Sequence, residues 1–457
     1  MSLSKFEEML KTNDVYFFDT TEFEEIIHYY LDEGNNSMAK KAIYLALEQH
    51  PDSVDIKMIQ AEVMVYEDKL DDARILLDNL MAIYPSNEEI YIQIANVLSK
   101  KDKHKEAIDY LKIAEQYTDD LADVASLLGM EYLYLDDYKK SRECFSICLE
   151  QDIEDYQALY NIIYCYEMES SHIEAIAFLN NYINENPYCE VAWHQIGRQH
   201  FVLKNYDQAL KSFDYAVVID EGFIGGYVEK AKTLEKLERY DEAIENYKIT
   251  LDLDDPTAFV FLRIGECYKK KNDVTKAIYY YKKALHEDPL LDKGWMLLAV
   301  IHYAEKSYDK ALHYQNKALA LDESNVDYWR YHAEINLRLK FYEEATDSLV
   351  KCIELGDSGI EIWIILADTW AFYIENITNA LATLVSAKKQ HHNFAEIEYR
   401  LGCLFYRSNQ KKEAFLHLKT AMSLDLDYYL IMEELCPDVF MDPEVKRMIL
   451  NLLDNPQ

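Results

Sequence analysis

Residues 190–223 read EVAWHQIGRQHFVLKNYDQALKSFDYAVVIDEGF, and the spacing within this stretch decides the fold. Counting from Glu190, Trp193 stands at place 4 and Ile196 and Gly197 at places 7 and 8; Ala209, Phe213 and Ala216 follow at places 20, 24 and 27. Moving the frame by 34 residues brings the same skeleton back. Going forward, Ala243, Ala277, Ala311 and Ala345 fall on place 20; going back, Ala175, Ser141, Ala107, Ala73 and Ala39 do. A fixed period of this length marks a stack of helix–turn–helix units, each burying its apolar face against the next.

Twelve units can be framed, starting at residues 20, 54, 88, 122, 156, 190, 224, 258, 292, 326, 360 and 395. Only the last step is 35 residues, and the extra residue is expected within YIENITNALATL (373–384), which moves the small residue to Ala380. Place 8 is Ala or Gly in ten of the twelve units, Ile27 and Ile163 being the exceptions. A small side chain at the crossing lets the two helices of a hairpin approach, and large neighbours fill the space around it. Those neighbours are Trp193, Tyr227, Phe261, Trp295, Trp329 and Trp363 at place 4, and Phe145, Phe213, Tyr247 and Tyr281 at place 24. We read them as inter-helix packing. Tyr138, Tyr206, Tyr240, Tyr308 and Tyr342 at place 17 open second helices; Pro51, Pro85, Pro187 and Pro289 at place 32 end them, and Pro256 comes one residue late.

On these residues the chain resembles the tetratricopeptide repeat family from residue 20 to about 428, and within it the long bacterial members. The resemblance implies an all-α fold, a right-handed superhelical solenoid of about twelve 34-residue helix–turn–helix repeats. It implies that the first helices line a concave groove that grips extended or helical segments of other proteins. Residues 1–19 are expected to form an N-terminal cap, a helix over 3–10 followed by Tyr16, Phe17 and Phe18 laid over the end of the stack. Residues 429–457 are expected to close the other end, with two helices read from DYYLIMEEL (427–435) and from 443–453, the latter capped by Asp442.

Composition narrows the function. Gly (11) and Pro (8) are scarce and apolar residues reach 50 %, which suits a folded helical chain. With 83 acidic against 47 basic residues the formal charge is −36, a field that repels a phosphate backbone and argues against wrapping nucleic acid. Eight cysteines contain no C-x-x-C pair, no run approaches the length of a membrane span, and the first residues lack an export pattern, so reduced thiols and a cytoplasmic location are expected, with no membrane insertion. Cys144 and Cys148, four apart, read as small packing residues and not as a metal site.

No enzyme is expected, and no cofactor or metal. Gly356-Asp357-Ser358-Gly359 spells part of a serine-protease signature but lies in a turn between repeats, without a strand. The S-x-x-K matches at Ser37 and Ser307 straddle turns into second helices and share the repeat skeleton. Gly225-Gly226 lacks the lysine of a phosphate loop, and His391-His392 lacks a third ligand.

In the family resembled, groove-facing residues lie at places 2, 5, 9, 12 and 13. In repeats 1 to 5 those places carry Glu24, Asp32, Asp55, Glu62, Glu89, Asp123 and Glu167 against Lys100. In repeats 6 to 9 they carry Arg198, Lys232, Lys236, Lys269, Lys270 and Lys293 against Glu235 and Glu266. Phe201, Phe259 and Tyr303 accompany the basic stretch, and Tyr160 and Tyr164 the acidic one. The pattern points to a protein-binding scaffold whose basic middle receives an acidic or carboxylate-bearing peptide, the aromatics serving as anchors. The alternative is that these are ordinary solvated helix faces. A second reading is an architectural subunit that self-associates, acidic first half against basic middle; a third, an RNA-binding repeat array, needs a continuous basic groove that repeats 1 to 5 contradict. The tail-clamp pairing of Lys and Asn at places 5 and 9 and the asparagine ladder at place 6, each found in a subclass of the family, are both missing. Partner identity and oligomeric state are not written in the sequence.

Overall fold

Regular 34-residue spacing of small and large apolar residues produces helical hairpins of matching length. The computed structural model describes residues 2–12, 15–254 and 257–454, so Pro256 lies outside the described residues. Twenty-eight α-helices and no strand occur among them, an all-α array of helical repeats. In repeat 6 the hairpin is Glu190–Val202 and Tyr206–Ile219; in repeat 8 it is Ala258–Lys270 and Val274–Glu287. The chain divides into two compact units, residues 1–233 and 234–457.

In both units hairpins pack against their sequence neighbours, as expected when each can bury its apolar stripe only by stacking. Place 20 is the most consistently buried position: Ala39, Ala73, Ala107, Ala175, Ala209, Ala243, Ala277, Ala311, Ala345, Ala380 and Ala414 have no exposed surface. Ser141 is equally buried and satisfies its hydroxyl on the Gly129 carbonyl 2.9 Å away. Glycine at place 8 has a particular reason. A Cβ on Gly197 would stand 2.5 Å from the Phe213 ring, one on Gly265 2.5 Å from Tyr281, and one on Gly129 2.7 Å from Phe145. Burying such a ring contributes about 2–3 kcal/mol, which only a missing side chain opposite permits.

Turns within the hairpins are uniform. Place 15, displaced to place 16 in repeat 11 by its extra residue, is left-handed in every repeat, from Gly34 through Asp68, Asp102, Asp136, Ser170, Lys204, Glu238, Asn272, Lys306, Lys340 and Glu375 to Asn409. The following N–H then bonds back to place 11, as from Asn205 to the His200 carbonyl at 2.9 Å and from Asp273 to Tyr268 at 2.9 Å, which caps the first helix. At place 4 the indoles of Trp193, Trp295 and Trp329 are half-buried and donate to the carbonyls of Pro187, Pro289 and Glu323 at 2.8–3.0 Å. They tie each first helix to the end of the preceding repeat.

Three expectations are corrected. The N-terminal helix spans Ser2–Thr12; Phe18 is buried against Phe6 and Phe23, but Phe17 is 74 % exposed. Neighbours in an extended segment point opposite ways, so only one of the pair can enter the cap. The extra residue of repeat 11 is absorbed earlier than expected, as a π-helical turn over Thr369–Tyr373 that ends the first helix. At the C-terminus there are not two closing helices but three, Ile431–Leu435, Pro437–Met441 and Pro443–Asp454, after a 3-10 turn over Asp427–Leu430. Pro437 cannot continue the preceding helix, so Cys436, which leaves helical geometry, breaks it and a new one starts.

Candidate functional site

First helices present a recurring polar face, and in residues 1–233 it changes character along the chain. Glu24 and Glu62 lie with Asp55 and Glu89; burial first and those carboxylates second push both above the usual range, His28 opposing. Gln93 Nε2 donates to both Glu62 and Glu89 at 3.0 Å, and Lys100 donates to the Val65 carbonyl at 3.2 Å. Tyr160 and Tyr164 of repeat 5 are exposed. Arg198 holds Gln195 Oε1 at 3.3 Å and Glu167 Oε1 at 3.5 Å, and Tyr160 bonds the same Gln195. Lys232 Nζ meets Glu229 Oε1 at 2.7 Å, and Phe201 packs edge-on against Tyr206. Between these charges His194 leans on Phe213 and Phe223, and neither ring nitrogen bonds a described residue. Burial, with Glu229 opposing and Arg198 and Lys232 assisting, lowers it to about 4.

In residues 234–457 the charges form a chain. Tyr247 donates to Glu235 Oε1 at 2.6 Å; Arg263 bridges Glu235 Oε2 at 2.6 Å and Glu266 Oε2 at 2.7 Å; Lys293 Nζ lies 2.9 Å from Glu266 Oε1. Lys236 and Lys270 are exposed. Lys269 is half-buried, and its ammonium is held below the ordinary value by burial, with Glu266 opposing and Lys270 assisting. Phe259 is exposed in the same repeat. The Tyr303 hydroxyl donates to Glu334 and accepts from Arg338 Nε at 3.1 Å.

Arg198, Lys232 and Lys293 therefore sit in ion pairs, whereas Lys236, Lys269 and Lys270 lie beside no carboxylate within 4 Å among the described residues. The pairing partners that sequence reasoning missed stand at place 6: Gln93, Gln195, Glu229, Arg263 and Arg400. A polar residue recurring there at the repeat period was the available signal. Arg400 shows the same habit, gripping Asp368 of the preceding repeat at 2.9 Å and Glu396 of its own at 2.9 Å. Among the described residues no cluster of His, Cys, Asp or Glu could hold a metal ion, and no helix is long and apolar enough to cross a membrane.

Stacked helical hairpins with a polar first-helix face define a helical-repeat protein. Within that class, the tetratricopeptide repeat family model matches residues 228–291, and the model for anaphase-promoting complex, cyclosome, subunit 3 matches residues 270–352. The chain is a tetratricopeptide repeat protein. Such proteins are generally scaffolds without catalytic activity, which bind proteins or peptides. No curated protein matches it. Among solved structures, the hetero-tetramer Cut9–Hcn1 of the APC/C is 14 % identical over 85 % of this chain and 96 % of that one, with a TM-score of 0.36. The C-terminal part of a repeat protein from Cytophaga hutchinsonii is 16 % identical over 56 % and 98 %, TM-score 0.44. YrrB, described as having an unusual peptide-binding site, is 17 % identical over 39 % and 92 %, TM-score 0.33.

Proposed function

We propose that the protein is a non-enzymatic cytoplasmic scaffold that binds segments of partner proteins along its first-helix face, an acidic or carboxylate-bearing segment lying against repeats 6 to 9. The observation that carries this reading is Lys269, half-buried beside Lys270 and held below its ordinary value, on the same first helix as exposed Phe259. A partner carboxylate arriving there relieves the repulsion, and an apolar side chain covers the ring. Arg198, Lys232 and Lys293 contribute by exchanging intramolecular carboxylates for those of a guest, at small net gain per pair. Exposed Tyr160 and Tyr164, with half-buried Phe201 and Tyr303, offer further apolar contact. Eight free cysteines, seven of them buried, suit a reducing compartment. Replacing Lys232, Lys236, Lys269 and Lys270 by Glu and capturing partners from native lysate beside the unaltered chain tests the proposal. Selective loss of partners is the expected result, and retention of every partner at low salt overturns it.

The self-association reading keeps one observation in its favour, the carboxylates Glu24 and Glu62, raised above their usual range and in no ion pair among the described residues. Light scattering against concentration decides it: dimers that dissociate as salt rises support it, and a monomer at low salt removes it.

A further inference from the structure

Repeat 11 handles its surplus residue in a way no other hairpin does. The turn over Thr369–Tyr373 is widened to a π-helix, with the Ile374 N–H reaching back to the Thr369 carbonyl at 3.1 Å. The capping bond then spans one residue more than elsewhere, from Asn376 to Trp370 at 2.7 Å. Thr369 donates its hydroxyl to the Ile365 carbonyl at 2.6 Å, a back-bond of the kind that accompanies a bend. Such bulges cost helix stability and tend to mark places where a side chain is re-aimed for use.

Beside the bulge, between the first helices of repeats 10 and 11, lies a cavity of about 470 Å³, the size of a small-ligand site. Its walls are apolar: Leu337, Ile365 (41 % exposed) and Tyr373 (57 % exposed), the last stacked on Tyr342 at 4.7 Å. Its two carboxylates are already engaged, Glu334 by the Tyr303 hydroxyl and Asp368 by a two-pronged grip from Arg400. Its cations are less committed. Arg338 and Lys340 are exposed at the rim; Arg338 gives only its Nε, to the Tyr303 hydroxyl at 3.1 Å, and neither side chain forms an ion pair among the described residues. What the pocket has left to offer a visitor is apolar surface and positive charge.

We propose that this pocket is an anchor subsite for a partner segment presenting a large aromatic side chain flanked by carboxylates. The ring fills the apolar walls and the acids meet Arg338 and Lys340, a buried aromatic with a charged rim being the usual anatomy of an anchoring contact. The assignment rests on the first-helix face being the binding face, and adds to it a particular side-chain preference.

The full chain is titrated against three fluorescein-labelled peptides, GSDWDSG, GSKWKSG and GSDADSG, at low salt, with anisotropy as readout. The first is expected to bind about tenfold more tightly than either control. Ile365→Arg and deletion of Ala371, which returns the turn to α-helical phase, are each expected to weaken it about tenfold, and Arg338→Ala about threefold. Should the deletion unfold the hairpin by circular dichroism, Ile365→Arg, at an exposed position, decides alone. No binding up to about 1 mM, no preference for the acidic tryptophan peptide, or binding indifferent to Ile365→Arg overturns the subsite. Reversing Lys232, Lys236, Lys269 and Lys270 is expected to leave this short probe within about twofold, because none of them lines the pocket. Partner capture that stays sensitive to that reversal while the peptides fail sinks the pocket alone; peptides that bind while the reversal changes no capture sink the basic stretch alone.

Discussion

In repeat 8 the hairpin is so tight that a Cβ on Gly265 would lie 2.5 Å from the Tyr281 ring and 3.3 Å from the Ala277 carbonyl. In repeat 5, Tyr156–Met168 and His172–Glu185, the same two places hold Ile163 and Leu179, both buried, and the helices stand further apart. Repeats 2, 3 and 10 lie between, pairing Ala61, Ala95 and Ala333 with Leu77, Leu111 and Leu349. Smallness at place 8 is thus half of a rule. Places 8 and 24 share one volume: the glycines of repeats 4, 6 and 8 admit a ring, the alanines of repeats 2, 3 and 10 face a leucine, and Ile163 of repeat 5 goes with spread helices.

The harshest way to break the comparison is Gly265→Val. Its branched side chain has no room under Tyr281, and a loss of about 3 kcal/mol or more in urea unfolding is expected, partly recovered by adding Tyr281→Ala. Unchanged stability would mean that the ring moves aside freely. Ile163→Ala at the wide end should cost about 2–4 kcal/mol, because spread helices collapse poorly onto a cavity. Pairing Ile163→Gly with Leu179→Phe asks whether repeat 5 can be converted to the tight type, read out as recovered stability relative to Ile163→Gly alone.

Acid adds a contrast between repeat 6 and repeat 10. His194 and His332 are both lowered to about 4, in each case first by burial. A histidine depressed below its unfolded value near 6.5 binds fewer protons when folded, so its contribution is intact above that value and is lost as pH falls toward 4. Between pH 7 and pH 5 each should remove about 2 kcal/mol. His194→Phe should flatten the slope, since neither nitrogen bonds a described residue, whereas His332 is hydrogen-bonded to Ser348 Oγ at 2.7 Å and tolerates Phe less well. Smallest of all is Tyr281→Phe. The Tyr281 hydroxyl is buried without a described partner, so calorimetry should show a neutral to slightly higher melting temperature, a change below about 1 kcal/mol.

Much of the fold was legible because hairpin packing is local and periodic. Ala209 had to meet its own hairpin's crossing wherever the rest of the chain went, and the frame found it. The π-turn was legible only as a count: the shift to Ala380 shows that one residue was added after Ala367, while the choice between widening the helix and lengthening the loop belongs to local energetics that spacing does not record. The candidate face was read less well. Five places were taken from the resemblance, and place 6 was left out, where Glu229 pairs Lys232 of the basic stripe and Arg263 engages Glu235 and Glu266. Phe17 failed for a simpler reason, since composition cannot tell which of two adjacent rings faces inward.

Place 15 leaves a last consequence. Eleven of its twelve occupants hold a left-handed backbone with φ between 55° and 66° while carrying a side chain, and only Gly34 does so at ease. Asp and Asn tolerate this conformation, but Lys204, Glu238, Lys306 and Lys340 have no such excuse, and each gives up about 1 kcal/mol to steric crowding. Because these corners belong to separate hairpins and are alike, glycine at each should raise the melting point in additive steps. The array is therefore strung below its full tension, with the slack shared out evenly, a knot at a time, along its length.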